Sequence, residues 1–221
     1  MQAAHNHIPL TINKSRPDAA AMLHPDLSFQ LFRDIVISTY DSRVALIGPN
    51  AAPNARNDCM YHGCTEHLRN SLCGDAGWNI SEARGVSSVV DPANHIRIAC
   101  STDGGPNIGI EGHHPTFNRK KGAGTRALGC VVDQHIPGLE PKSSRDFPTV
   151  STCVLYYFLI RIDNEKAEIR MELVNPHFDS LGNVVAWKNR IIIPAVNIKS
   201  TPVVTPKHVP APQIIITRKV S

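Results

Sequence analysis

The stretch that decides the fold is TCVLYYFLIRIDNEKAEIRMELVNPHFDSLGNVVAWKNRIII, residues 152–193. Residues 152–163 form a β-branched and aromatic run, Asn164-Glu165 supplies a tight turn, and 166–174 returns as a second run, the pattern of a β-hairpin. Residues 175–182 read as a loop and 183–193 as a third strand. In the middle strand Ile169, Met171 and Leu173 alternate with Glu168, Arg170 and Glu172, the period of a sheet with one apolar and one solvated face. The expectation is an antiparallel meander.

Upstream, short β-branched runs at 86–90, 95–100, 108–111 and 127–133 read as further strands. Helical spacing concentrates near the start, where Pro25 suits a first turn and Leu27, Leu31 and Ile35 recur every fourth residue beside Phe32. This predicts a helix over 25–39. A short strand at 43–47 ending in Gly48-Pro49-Asn50, a loop at 51–58, and a second helix capped by Thr65 and stopped at Gly74 complete the first third. Downstream, five prolines between Pro194 and Pro212 favour an extended tether, and Ile214-Ile215-Ile216-Thr217 regains a β-type run suited to docking on a sheet edge. The fold class expected is α+β: a mostly antiparallel meander, one N-terminal helix and an extended C-terminal arm. Residues 1–193 form a single domain with a short N-terminal arm, and 194–221 form the basic, proline-containing C-terminal arm.

With 221 residues, 42% of them hydrophobic and 19% charged, the chain suits one core. Its 17 prolines and 14 glycines, spread along the chain, exclude a helical bundle. The longest apolar run, Cys153 to Ile160, falls far short of the roughly 20 residues of a membrane-spanning helix. The opening residues lack an apolar signal core, so a cytoplasmic or otherwise intracellular setting with no membrane partner is expected. The six cysteines are dilute and read as reduced thiols, with Cys100, Cys130 and Cys153 behaving as small buried hydrophobes.

The net charge of +4 is unevenly divided. Asp179 is the last acid, and the remaining residues carry six cations: Lys188, Arg190, Lys199, Lys207, Arg218 and Lys219. Lys14 and Arg16 precede the first acid, so both ends are basic and the body between them is acidic. Such ends suit a polyanion such as nucleic acid, or a neighbouring copy of the same acidic body.

The most polar and glycine-dense region runs from Asp103 to Arg126 and carries Arg119, Lys120, Lys121 and Arg126 among glycines. Glycines let backbone amides face an anion, and four cations in so short a span suit phosphate contacts. The spacing of a nucleotide phosphate loop is absent. Lys188 and Arg190, opening the acid-free C-terminal segment, complete the expected nucleic-acid-binding set.

Three other groupings bear on chemistry. Cys59, His62, Cys64 and His67 are zinc-type ligands, although they form one tight knot where structural zinc sites use two separated pairs. Asp133, Glu140 and Lys142, or the hairpin acids Asp163, Glu168 and Glu172, have the types that magnesium-dependent phosphodiester cleavage requires, although Pro141 and the exposed-face pattern count against each set. His113 and His114 follow Glu111 and offer a general base. Tyr156, Tyr157 and Phe158, in a strongly apolar run, suit core packing better than base stacking, and Trp187 adds too little to change that. Three functions stand in order: a nucleic-acid-associated protein using the basic loop and arm; an assembly subunit adding its arm to a neighbour's sheet in a homo-oligomer; a metal-dependent nuclease with zinc or magnesium. Whether the chain is an enzyme stays open.

Overall fold

The computed structural model describes residues 11–12, 19–74, 77–129 and 153–198. Seven strands form one mixed sheet in the order β1-β7-β6-β5-β4-β3-β2. They are β1 Thr11–Ile12, β2 Asn79–Ser81, β3 Ser88–Asp91, β4 Ile96–Ser101, β5 Val154–Asp163, β6 Glu168–Phe178 and β7 Val184–Asn197. The fold is α+β, and the meander occupies β5, β6 and β7, which pair antiparallel from Asp163↔Glu168 and from Phe178↔Val184.

Two joins depart from a pure meander. β4 pairs β5 in parallel, from Ile96↔Val154 to Ser101↔Leu159. A parallel pair needs a long crossover, and the chain after Ser101 supplies it by leaving one end of the sheet and returning at the other. The β5–β6 connection spans residues 164–167 instead of the expected two-residue turn. Ala167 takes φ 50°, and the Asp163 carboxylate accepts from the amides of Glu165 and Lys166, each at 3.1 Å.

One sheet face is covered by helices. In α1, Phe29–Thr39, the Ser28 hydroxyl accepts from the Leu31 amide at 3.0 Å, a cap worth about 1 kcal/mol, and Phe32, Ile35 and Val36 enter the core. The helix runs into a π-helical turn, Tyr40–Val44, where a strand was expected at 43–47. The second helix, α2, spans Ala55–Leu72 and so takes over the second half of the loop expected at 51–58 and the expected Thr65 cap. Thr65 sits mid-helix and satisfies its hydroxyl by donating to Tyr61 O at 2.8 Å. Met60, Cys64, Leu68 and Leu72 are the buried seam of α2, facing Ile98, Phe158, Met171 and their neighbours.

The opposite face, expected to be solvated, is buried as well. Residues 102–129 lie over it, bringing Ile108 and Leu128 against Leu155, Tyr157, Leu159, Val174 and Trp187. Arg170 and Glu172 are therefore interior residues. The expected strand at 108–111 is a series of turns, and the part of 127–133 that is described belongs to a third helix, α3, Ala123–Gly129. Both prolines in the meander fall at register shifts, where a missing amide is tolerated: Pro176 after Asn175↔Asn189, and Pro194 between Met171↔Ile193 and Ile169↔Val196. β7 thus continues past the expected boundary at 193 to Asn197. The C-terminal arm from 199 onward lies outside the described residues, as do Cys130, Asp133, Glu140 and Lys142.

Candidate functional site

A groove of about 670 Å³ opens where residues 114–120 pass the start of β7. One wall is the loop from His114 to Lys120, and the other is Gly182 to Trp187. Backbone bonds fix the loop in place: Thr116 N donates to Gly104 O and Asn118 N to Asp103 O, both at 3.2 Å, and Lys121 N donates to Gly182 O at 2.9 Å. At Gly182 the backbone has φ +86° and a Cβ would run into the Lys121 carbonyl, so the two walls meet only because this residue is glycine.

Behind the groove stands an aromatic cluster. Phe117 meets Tyr157 edge-on at 5.2 Å and lies tilted against Trp187 at 5.8 Å. The Lys121 ammonium sits 3.9 Å from the Phe117 ring centroid and 3.4 Å from Asp103 Oδ2. Burial lowers the Lys121 pKa and Asp103 opposes that shift, and the ammonium is held behind the groove, outside its lining. The lining contains no Asp or Glu. In the neighbouring β6–β7 connection, the Asp179 carboxylate accepts from the Leu181 and Asn183 amides of its own turn and from Asn183 Nδ2, each at 2.8 Å. The Asn183 side chain is the largest cause holding the Asp179 pKa down.

The structure separates the six cations singled out in the sequence. Arg119 and Lys120 are exposed on the groove wall, with Lys121 packed behind them. Lys188 is exposed next to Trp187, and Arg126 is half-buried on α3. Arg190 lies in the interior, 1% exposed, where its Nε donates to Glu172 Oε2 at 2.6 Å, its Nη2 to Ile110 O at 2.9 Å and its Nη1 to His113 O. It bolts the 110–113 turn to the sheet. Phe117, Asn118, Asn183 and the exposed Val185 complete the groove and were not legible as site residues, because only the crossover brings residues 114–120 beside 182–187.

Cys59, His62, Cys64 and His67 all lie on α2, at offsets that spread them around the helix. Cys64 is buried, with Sγ donating to Thr39 Oγ1 at 3.5 Å, and burial raises its thiol pKa. His62 is exposed and stacks edge-on to Tyr61 at 5.0 Å. Among the described residues no group of three or more His, Cys, Asp or Glu side chains is arranged to hold a metal ion. The hairpin acids have partners: Asp163 bonds Arg170 at 2.9 Å, Glu168 lies 3.6 Å from Arg170 Nε, and Glu172 pairs with Arg190. His114 lines the groove, whereas Glu111 and His113 are exposed outside its lining. Among the described residues no helix is long and apolar enough to cross a membrane.

No protein-family model matches the chain, and neither a curated protein nor a solved structure matches it.

Proposed function

We propose that this chain is a nucleic-acid-associated protein that holds phosphates at the groove between residues 114–120 and the start of β7. One observation carries the reading: the groove presents Arg119 and Lys120 from its wall and has no carboxylate in its lining, and the exposed Lys188 follows the lining residue Trp187 in the chain. Sequence-independent backbone contact needs this arrangement, cations on a shaped surface with no competing acids. The acid-free terminal segment adds Lys199, Lys207, Arg218 and Lys219 to the same polyanion-seeking charge. The test is binding of a fluorescent single strand and a duplex across salt concentrations. Log affinity falls with log salt at a slope of about −2 to −3 if Arg119, Lys120 and Lys188 displace counterions, and an affinity flat in salt rejects the proposal. Magnesium and chelator lanes in the same experiment read out cleavage.

A second reading, an assembly subunit, is favoured by the outer edge of β7. Among the described residues this long strand has a partner on that side only at Asn189 and Arg190, where β1 pairs in parallel. A free edge accepts an added strand. Light scattering on the full chain and on a chain ending at 198 decides it: oligomers that dissolve on truncation support assembly, and a monomer in both cases rejects it.

A further inference from the structure

We infer that Arg161 and Arg170, at the hairpin end of β5 and β6, form a binding site for a phosphoryl oxyanion, separate from the groove. The two residues are direct register partners and share the sheet face covered by residues 102–129. Side by side, like charges repel across a strand pair. The local acids answer Arg170, which pairs with Asp163 and lies beside Glu168, but none is paired with Arg161 among the described residues. Asp163 Oδ1 is taken by the Glu165 and Lys166 amides and Oδ2 by Arg170 Nη2 at 2.9 Å. Glu168 Oε1 stands 3.6 Å from Arg170 Nε, beyond hydrogen-bond distance. Three buried donors are left without a hydrogen-bond partner among the described residues: Arg161 Nε, Arg170 Nε and Arg170 Nη1.

Arg170 is the stronger half of the site. Its side chain is only 8% exposed, so unmade hydrogen bonds there are not repaid by bulk water. Its stem is pinned, because Gly109 at φ +68° brings the covering loop so close that a Cβ there would lie 3.0 Å from Arg170 Cβ. Arg161 is half-buried, with its Nε enclosed. A pinned guanidinium with a half-buried register partner offers a fork for a compact oxyanion, since planar guanidiniums match phosphate oxygens in pairs. The ligand is either free phosphate or a phosphodiester of a polymer, and the geometry serves both.

The experiment titrates inorganic phosphate into the full chain at low ionic strength, read by calorimetry and by thermal unfolding, with chloride at matched ionic strength as control. Saturable binding that weakens at least tenfold in Arg161→Gln, and by less in Arg161→Lys, is the expected result, with near-ultraviolet circular dichroism showing both variants folded. Phosphate that acts no differently from chloride, or binds Arg161→Gln as tightly as the parent chain, overturns the inference. A labelled oligonucleotide distinguishes the source. If Arg161→Gln weakens it, the phosphate belongs to the polymer; if only inorganic phosphate is affected, the ligand is the free anion. The groove stands or falls separately, on whether Arg119→Gln weakens the oligonucleotide.

Discussion

Glu172 and Arg190 form an ion pair with neither side chain exposed, on adjacent strands beneath the 110–113 turn. Burial is the largest influence on Glu172 and pushes its carboxyl up to about 7 against the pull of Arg190. A carboxyl raised in the folded state binds more protons there than in the unfolded chain, so its contribution is favourable at low pH and is lost as pH rises. The window runs from the ordinary glutamate range to about 7, and the loss is about 3 kcal/mol. Urea unfolding of Glu172→Gln should show a smaller decline between pH 5 and 7.5 than the parent chain. Equal slopes would place Glu172 outside the titration. Asp91, Asp163 and Asp179 shift downward, so their stabilisation is lost as pH falls below the ordinary carboxylate range, under this window.

Arg119 and Lys120 project from a loop whose position depends on backbone bonds, so changing their side chains leaves the groove standing. The double change Arg119→Gln with Lys120→Gln should lower oligonucleotide affinity about tenfold or more and make the salt slope shallower by about 2. Anisotropy titrations at three salt concentrations measure both. Unchanged affinity with an unchanged slope would move the phosphate contacts off this groove. Arg190→Gln should behave differently, lowering stability by about 3–5 kcal/mol because it leaves Glu172 buried without its partner.

Much of the sheet was legible because its residues obey a period of two. Ile169, Met171 and Leu173 do share the helix-covered face, and β3, β4, β5, β6 and β7 overlap their expected positions. The second buried face was not legible, since Arg170 and Glu172 look like solvent residues until the crossover covers them and each finds an opposite charge. α2 was misread for a related reason. Its apolar seam is narrow, Met60, Cys64, Leu68 and Leu72 among many polar residues, and a start at Thr65 leaves the first two of these outside the helix. In the site, the cations of 119–121 were visible as a cluster, but not their division into exposed Arg119 and Lys120 and packed Lys121. That division follows from Phe117 and Asp103, which hold the Lys121 ammonium from two sides.

The cysteines of α2 and β4 give a reactivity order. Cys64 and Cys100 are buried, and burial raises both thiols, Cys100 to about 12. Cys59 is half-buried on the same helix as Cys64. A thiolate reagent at pH 8 should modify Cys59 within minutes and Cys64 and Cys100 only on unfolding, as mass spectrometry of quenched samples would show. Zinc present during labelling should leave that order unchanged, since Cys64 is turned toward Thr39. Protection of Cys59 by stoichiometric zinc would restore a metal role for His62 and His67.

The crossing of α1 and α2 rests on Gly63, where a Cβ would collide with Thr39 Cγ2. Thr39 cannot turn aside freely, because its hydroxyl donates to Ile35 O at 2.8 Å and accepts from Cys64. In an isolated helix Gly63→Ala would gain about 1 kcal/mol of propensity. Here the overpacking, about 1–3 kcal/mol, opposes that gain and should exceed it, lowering the unfolding midpoint. The companion change Thr39→Ala removes the colliding methyl, so the double variant should recover part of the loss, and the two changes should couple favourably in a double-mutant cycle. Simple additivity, measured by urea unfolding, would show that the helices relax apart and that the close approach does not set their crossing.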